Sequence, residues 1–172
     1  MALFDRIRLA RSVVAGLAIH GDRVLLMRGR LPGAEDAWWH APVARLDLGM
    51  RARDRDRVSH AFREEVGCDA VAVDLMGVSQ QPFEVAGVVG REMLFTYFAR
   101  LVEPAATLLP RADGSTPGDR QDLAWLPLTE VTSGAYRIAP DGVVERLTAW
   151  LDRLEAIPSS ATDAAQGRLE RL

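Results

Sequence analysis

The sequence has 172 residues, 48% hydrophobic and 26% charged, with a formal net charge of −3. That length and mix suit one soluble domain with a sizeable core, and the charge balance argues against a nucleic-acid surface. All 21 basic residues are arginine, so neither a Schiff-base lysine nor a phosphate-loop lysine is available; asparagine is absent too.

Cys68 is the single cysteine, which excludes an intrachain disulfide and makes a cytoplasmic setting the expectation. His20, His40 and His60 share no zinc-ligand spacing with it. The opening "MALFDRIRLARS" is broken by Asp5, Arg6 and Arg8 before any apolar stretch develops, so no secretory signal is expected. No apolar run approaches the ~18 residues of a membrane span.

In chain order, "SVVAGLAI", "HGD" and "RVLLM" predict strand, turn and strand, since β-branched and apolar runs flank a Gly-Asp turn. "RGRLPGAED" reads as a loop, and "AWWHAP" as a short aromatic segment at a strand edge, closed by a proline. A helix is predicted from about Arg53 to Val66. "VAVDL" alternates Val71, Val73 and Leu75 against Ala72 and Asp74, a half-buried strand. "EVAGVVG" reads as a turn region and "REMLFTYFARLV" as the strongest strand, opened by Arg91 and Glu92, which could flank a cleft although position alone does not show it. "EPAATLLPRADGSTPGDRQD" is long and irregular, and "LAWLPL" is a further strand. "GVVERLTAWLDRL" is amphipathic, with Val143, Val144, Leu147, Trp150, Leu151 and Leu154 at helical spacing. Interspersed strands and helices predict a mixed sheet with helices packed on it, in one domain over 1–156, followed by a loose tail over 157–172.

The helix ending in "FREEVG" poses a chemical question. Val58, Ala61, Phe62 and Val66 fall on one side, and Gly67 stands where a helix end favours a left-handed residue. Glu65 projects within that apolar arc and Glu64 lies on its flank. A carboxylate facing a core is costly unless it is paired or binds a metal. Two answers are open: Glu65 pairs with one of the many arginines, or Glu64 and Glu65 hold a cation such as magnesium, which takes one or two carboxylates plus water and phosphate oxygens.

The order of elements resembles the Nudix family across roughly Ser12 to Leu154. That family places a box of the form G-x5-E-x7-R-E-U-x-E-E-x-G-U after a hairpin, U being a bulky aliphatic residue. "RVLLMRGR" is similar to the strand before the box, "WWHAPVARLDLGM" to its approach, "HAFREEVGC" to its helical second half and "DLAWLPLTEV" to the closing strand and turn. The box is degenerate. Glu64, Glu65 and Gly67 match; His60 and Ala61 replace the Arg-Glu pair, Met50 replaces the earlier glutamate, and Val43 and Ala44 replace two glycines.

The resemblance implies an α/β/α sandwich with a mixed β-sheet. It also implies metal-dependent hydrolysis of a nucleoside diphosphate linked to another group, with Mg2+ or Mn2+ on Glu64 and Glu65. The carboxylate absent at Ala61 is one that the family uses for metal binding and water deprotonation. Asp47, Asp119 or Asp122 could replace it, and Asp122 joins Glu64 and Glu65 as a catalytic candidate. Arg28, Arg30 and Trp39 are candidate substrate contacts, the arginines for phosphate and the indole for stacking; Trp38 is the alternative platform. The expected partner is a nucleotide-like small molecule, with no nucleic acid and no membrane, and homodimerisation is left open. The alternative is an inactive Nudix-fold module that binds such a ligand without turning it over.

Overall fold

The computed structural model describes residues 10–29, 38–46, 54–85, 88–102 and 122–156. Arg30, Asp47, Met50, Asp119 and the 157–172 tail, all named above, lie outside the described residues.

The strands are β1 (Ala10–His20), β2 (Arg23–Gly29), β3 (Trp38–His40), β4 (Val43–Leu46), β5 (Ala70–Val85), β6 (Val88–Leu101), β7 (Leu123–Pro127) and β8 (Ile138–Ala139). The helices are α1 (Asp54–Ala61), continued by a π turn (Phe62–Val66), α2 (Leu128–Thr132) and α3 (Val143–Glu155). The strands form one mixed sheet, with the main path β5-β6-β1-β2-β3-β8; β4 also joins β1, and β7 joins β2. β1 organises it. One edge runs parallel to β6, with Ala10 opposite Arg91 and Ala18 opposite Ala99. The other edge is antiparallel to β4 over Ser12–Ala15 and to β2 over Ala18–His20.

Strand alternation splits the core into two layers. Val13, Ala15 and Leu17 face an apolar cluster with Leu94, Phe98, Val131, Leu147 and Trp150, which α2 and α3 cover. Val14, Ala18 and Leu25 face a second cluster with Val58, Phe62, Val66, Tyr97 and Trp125, covered by α1 and the π turn. The α/β/α sandwich is therefore as the sequence implied. α3 is clamped to β5 by Trp150 Nε1 donating to Asp74 Oδ2 at 2.9 Å and Arg153 Nη2 donating to the Met76 carbonyl at 2.7 Å.

The opposite layer depends on one glycine. A Cβ built on Gly16 would lie 2.5 Å from the Phe62 ring and 2.8 Å from Val58. The helix thus sits directly on the sheet backbone.

Several elements differ from the sequence reading. β5 has sixteen residues, well beyond the predicted "VAVDL", and pairs with β6 along its whole length despite irregularities at Ala72/Asp74 and Leu75/Gly77. β4 and β8 form where no strand was read. The predicted single helix ends as a π turn, in which the Gly67 and Cys68 N–H groups donate to the Phe62 carbonyl at 2.9 and 3.4 Å. Successive i+4 steps in an α-helix drift about 40° around the axis. The wider π turn takes back that drift, so Phe62 and Val66 both stay buried beneath the sheet with Val58.

Candidate functional site

A cleft of ≈ 440 Å³ opens beside β1, where β3 and β4 meet. β1 contributes Arg11 and Val13, and β6 contributes Glu92. Trp38, His40 and Ala41 form one wall with Ala139 and Pro140, while Val43, Ala44 and Arg45 bring in β4. Apolar walls with a few charged groups are what a small-molecule site requires.

The charged groups are fixed by sheet register. Arg11 lies opposite Glu92 across the parallel β1–β6 pair, and Gln81 lies opposite Glu92 across β5–β6. Arg11 Nε donates to Glu92 Oε2, and Gln81 Nε2 donates to Glu92 Oε1 at 2.6 Å. Glu92 is only 3% exposed, so these bonds offset the cost of burying its carboxylate.

Glu65 approaches the cleft from the π turn. Its Oε2 accepts the Val43 N–H at 3.3 Å and stands 4.0 Å from His40 Nδ1. Burial pushes its carboxyl pKa above the ordinary range, against the opposing pull of the Val43 N–H and His40. The His40 ring packs on Trp38 with centroids 5.2 Å apart, and its Nδ1 lies 3.3 Å from the Ala41 carbonyl. Val43 and His40 are thus both cleft walls and neighbours of Glu65.

Glu64 is exposed on the same turn, and Ala61 is 1% exposed against the core. Arg28 and Asp122 are neighbours through the backbone, the Arg28 N–H donating to the Asp122 carbonyl at 2.6 Å, but neither lines the cleft. Trp39 packs edge-on to Tyr136, centroids 6.3 Å apart, and joins the α3-side core. Trp38, its neighbour, is the indole that faces the cleft.

Sequence reasoning missed Arg11, Gln81, Arg45 and a role for His40. One signal was available for the first. Arg11 is two residues from buried Val13 in an alternating strand, as Glu92 is from Leu94, so each charge is in phase with the core. Among the described residues no three His, Cys, Asp or Glu side chains gather closely enough to hold a metal ion, and no helix is long and apolar enough to cross a membrane.

A NUDIX hydrolase from Nitrosomonas europaea matches this architecture with a TM-score of 0.59, over 84% of this chain and 90% of its own, at 17% identity. A MutT protein from Methanosarcina mazei Go1 gives 0.58 over 88% and 99%, also at 17% identity. An ADP-ribose pyrophosphatase from Streptococcus suis gives 0.52 over 86% and 93%, at 13% identity.

The chain has the Nudix fold. At these identities the shared property is the fold. No protein-family model matches the sequence, and no curated protein does. Within the Nudix frame, the resemblance noted above makes the π turn the end of the box helix, with Glu64 and Glu65 at its matching positions. Ala61, buried and without a carboxylate, is its clearest departure.

Proposed function

We propose that this Nudix-fold protein is a divalent-metal-dependent hydrolase that cleaves a nucleoside diphosphate linked to another group, working from an altered box. The observation that carries the reading is the junction of cleft and box: His40 and Val43 line the cleft and also flank the Glu65 carboxylate. A nucleotide in the cleft would bring its phosphates toward that junction.

The donor chemistry fits a divalent cation. Glu65 is an oxygen donor beside the cleft-wall residues His40 and Val43, and exposed Glu64 adds negative charge on the same turn. With no cluster of three such side chains among the described residues, the protein would supply few ligands and leave the remainder to water and phosphate oxygens. Magnesium is commonly bound in that way. When bound, the metal would polarise phosphoryl oxygens and lower the pKa of a coordinated water. The chain's own residues do the positioning. Trp38 offers an aromatic wall, Arg45 presents its guanidinium chemistry to phosphate, and the Arg11–Glu92–Gln81 row fixes polar groups beside the apolar walls.

The test is a hydrolysis screen of the pure protein with Mg2+ or Mn2+ against nucleoside triphosphates, dinucleotides and nucleotide sugars. Product formation supports the hydrolase. Saturable binding with no product from any of them establishes the second reading, a ligand-binding module, which the apolar burial of Ala61 favours.

A further inference from the structure

We propose that the base of the cleft's nucleotide stacks on Trp38, and that Gly29 is the positioning residue that seats this indole. The proposal rests on the reading of the cleft as a nucleotide site, and it names the residues that hold the ligand's aromatic end.

β2 and β3 pair with Gly29 opposite Trp38. A Cβ built on Gly29 would lie 2.3 Å from Trp38 Cε2, 2.6 Å from Cζ2 and 2.8 Å from Cδ2. Cε2 is a ring-fusion carbon, bonded within the ring plane on all three sides, so this closest approach comes from the face of the indole. The ring therefore lies on the bare backbone of Gly29, an approach that any larger residue would block. Trp38 is also a wall of the ≈ 440 Å³ cleft. The face turned away from Gly29 is the one that a ligand meets. Among the described residues, Trp38 Nε1 is buried with no hydrogen-bond partner. What the indole offers the cleft is thus its π surface and not a polar edge. Base stacking uses such a surface and tolerates different bases.

The placement suits a nucleotide. His40 follows Trp38 by one two-residue step along β3, about 7 Å, and the two rings pack with centroids 5.2 Å apart. His40 and Val43 are the cleft walls that neighbour Glu65. A base on Trp38 therefore lies one strand step from that junction, close to the separation of a base from the phosphate on its own ribose. Trp39 has no such role, because it packs edge-on to Tyr136 in the α3-side core. Gly29 is not a cleft wall and acts only through the indole. A methyl group there must displace the ring, and the cleft is the open space beside it.

The experiment is titration of adenosine monophosphate, with ribose 5-phosphate as the base-free control, into the full chain without added metal. Calorimetry and tryptophan fluorescence are followed, and circular dichroism checks folding. The variants are Trp38→Ala, Trp38→Phe, Trp39→Phe, Gly29→Ala and the double variant Gly29→Ala with Trp38→Phe. Adenosine monophosphate is expected to bind the native protein more tightly than ribose 5-phosphate and to quench its fluorescence. Trp38→Ala should lose about 5- to 150-fold in affinity, the range that base–aromatic stacking spans. Trp38→Phe should abolish the quenching and keep part of the affinity, while Trp39→Phe keeps both. Folded Gly29→Ala should lose at least about fivefold, and Trp38→Phe in that background should restore part of the loss, since the smaller ring leaves room for the methyl. Native affinity and quenching in Trp38→Ala, or no preference for adenosine monophosphate over ribose 5-phosphate, overturns the stacking platform. Native binding in Gly29→Ala overturns the role of the glycine. The predicted pattern in a protein that yields no product in the hydrolysis screen upholds the platform and removes only the hydrolase reading.

Discussion

Glu65 can act in two ways that a single substitution separates. As an anchor for a cation it supplies charge; as a fastener it only receives the Val43 N–H. Glu65→Gln removes the charge and keeps a carbonyl acceptor for that N–H. We expect metal affinity to fall about 10–100-fold; unchanged affinity by calorimetry would mean the carboxylate merely ties the π turn to β4. Cys68 makes a second prediction. Burial, then the charge of neighbouring Asp69, pushes its thiol up to about 11. At pH 8 about one thiol in a thousand is then ionised, against about a quarter for an ordinary cysteine. Alkylation by iodoacetamide at pH 8 should be slow on the folded protein and quicken as pH rises toward 11, the pH to which its ionisation is raised. Labelling at the rate of a free thiol at pH 8, followed by mass spectrometry, would show that Cys68 is not packed as described. Gly16 supplies the third. The Cβ of Gly16→Ala meets the Phe62 ring at 2.5 Å, an overpacking that should cost about 1–3 kcal/mol in urea unfolding.

At the level of elements, the parallel β1–β6 pairing explains why part of the site could not be read from the chain. Arg11 and Glu92 are 81 positions apart, and only the register places them opposite one another. Their pairing should be cooperative. Arg11→Gln or Glu92→Gln alone should destabilise by about 2–3 kcal/mol, less than for a fully buried pair because the Arg11 side chain is 32% exposed. In the double variant the loss should fall short of the sum, as a double-mutant cycle would reveal. Local patterns were legible where side-chain periodicity spoke for itself, as in β1, β2, β6 and α3. β5 was legible only in its first third. Gly77, Gln80, Gln81 and Pro82 have weak strand preference, yet β6 pairs with that stretch throughout, so tertiary pairing overrides local propensity. The glutamates were visible because helical spacing places Glu65 near the apolar arc. The choice between Trp38 and Trp39 was not, since adjacent residues on a strand face opposite ways and their environment is set by distant neighbours.

For the whole molecule, one sheet supplies a wall to both cores. Trp150 lies in the layer covered by α3, and Trp125 lies in the layer covered by α1. If these layers unfold as one unit, variants retaining only one or the other tryptophan should report the same urea midpoint once corrected for their own stabilities. Separate transitions within one such protein, one followed by fluorescence and one by circular dichroism, would divide the chain that the sequence reading takes as a single domain. The cleft depends on the same continuity: its residues come from β1, β3, β4, β6 and β8, so its shape is a property of the assembled sheet.

The π turn has a consequence for how this sequence can change. From Phe62 to Gly67 the helix acts as a spacer whose length sets the bearing of everything beyond it. Exchange of a side chain there alters one group. Loss of one residue between Phe62 and Val66 would let the turn rewind as ordinary helix, with Val66 three positions after Phe62 and still on the core side. A one-residue deletion should therefore be better tolerated in this short stretch than in α1, where it would turn every following side chain by about 100°.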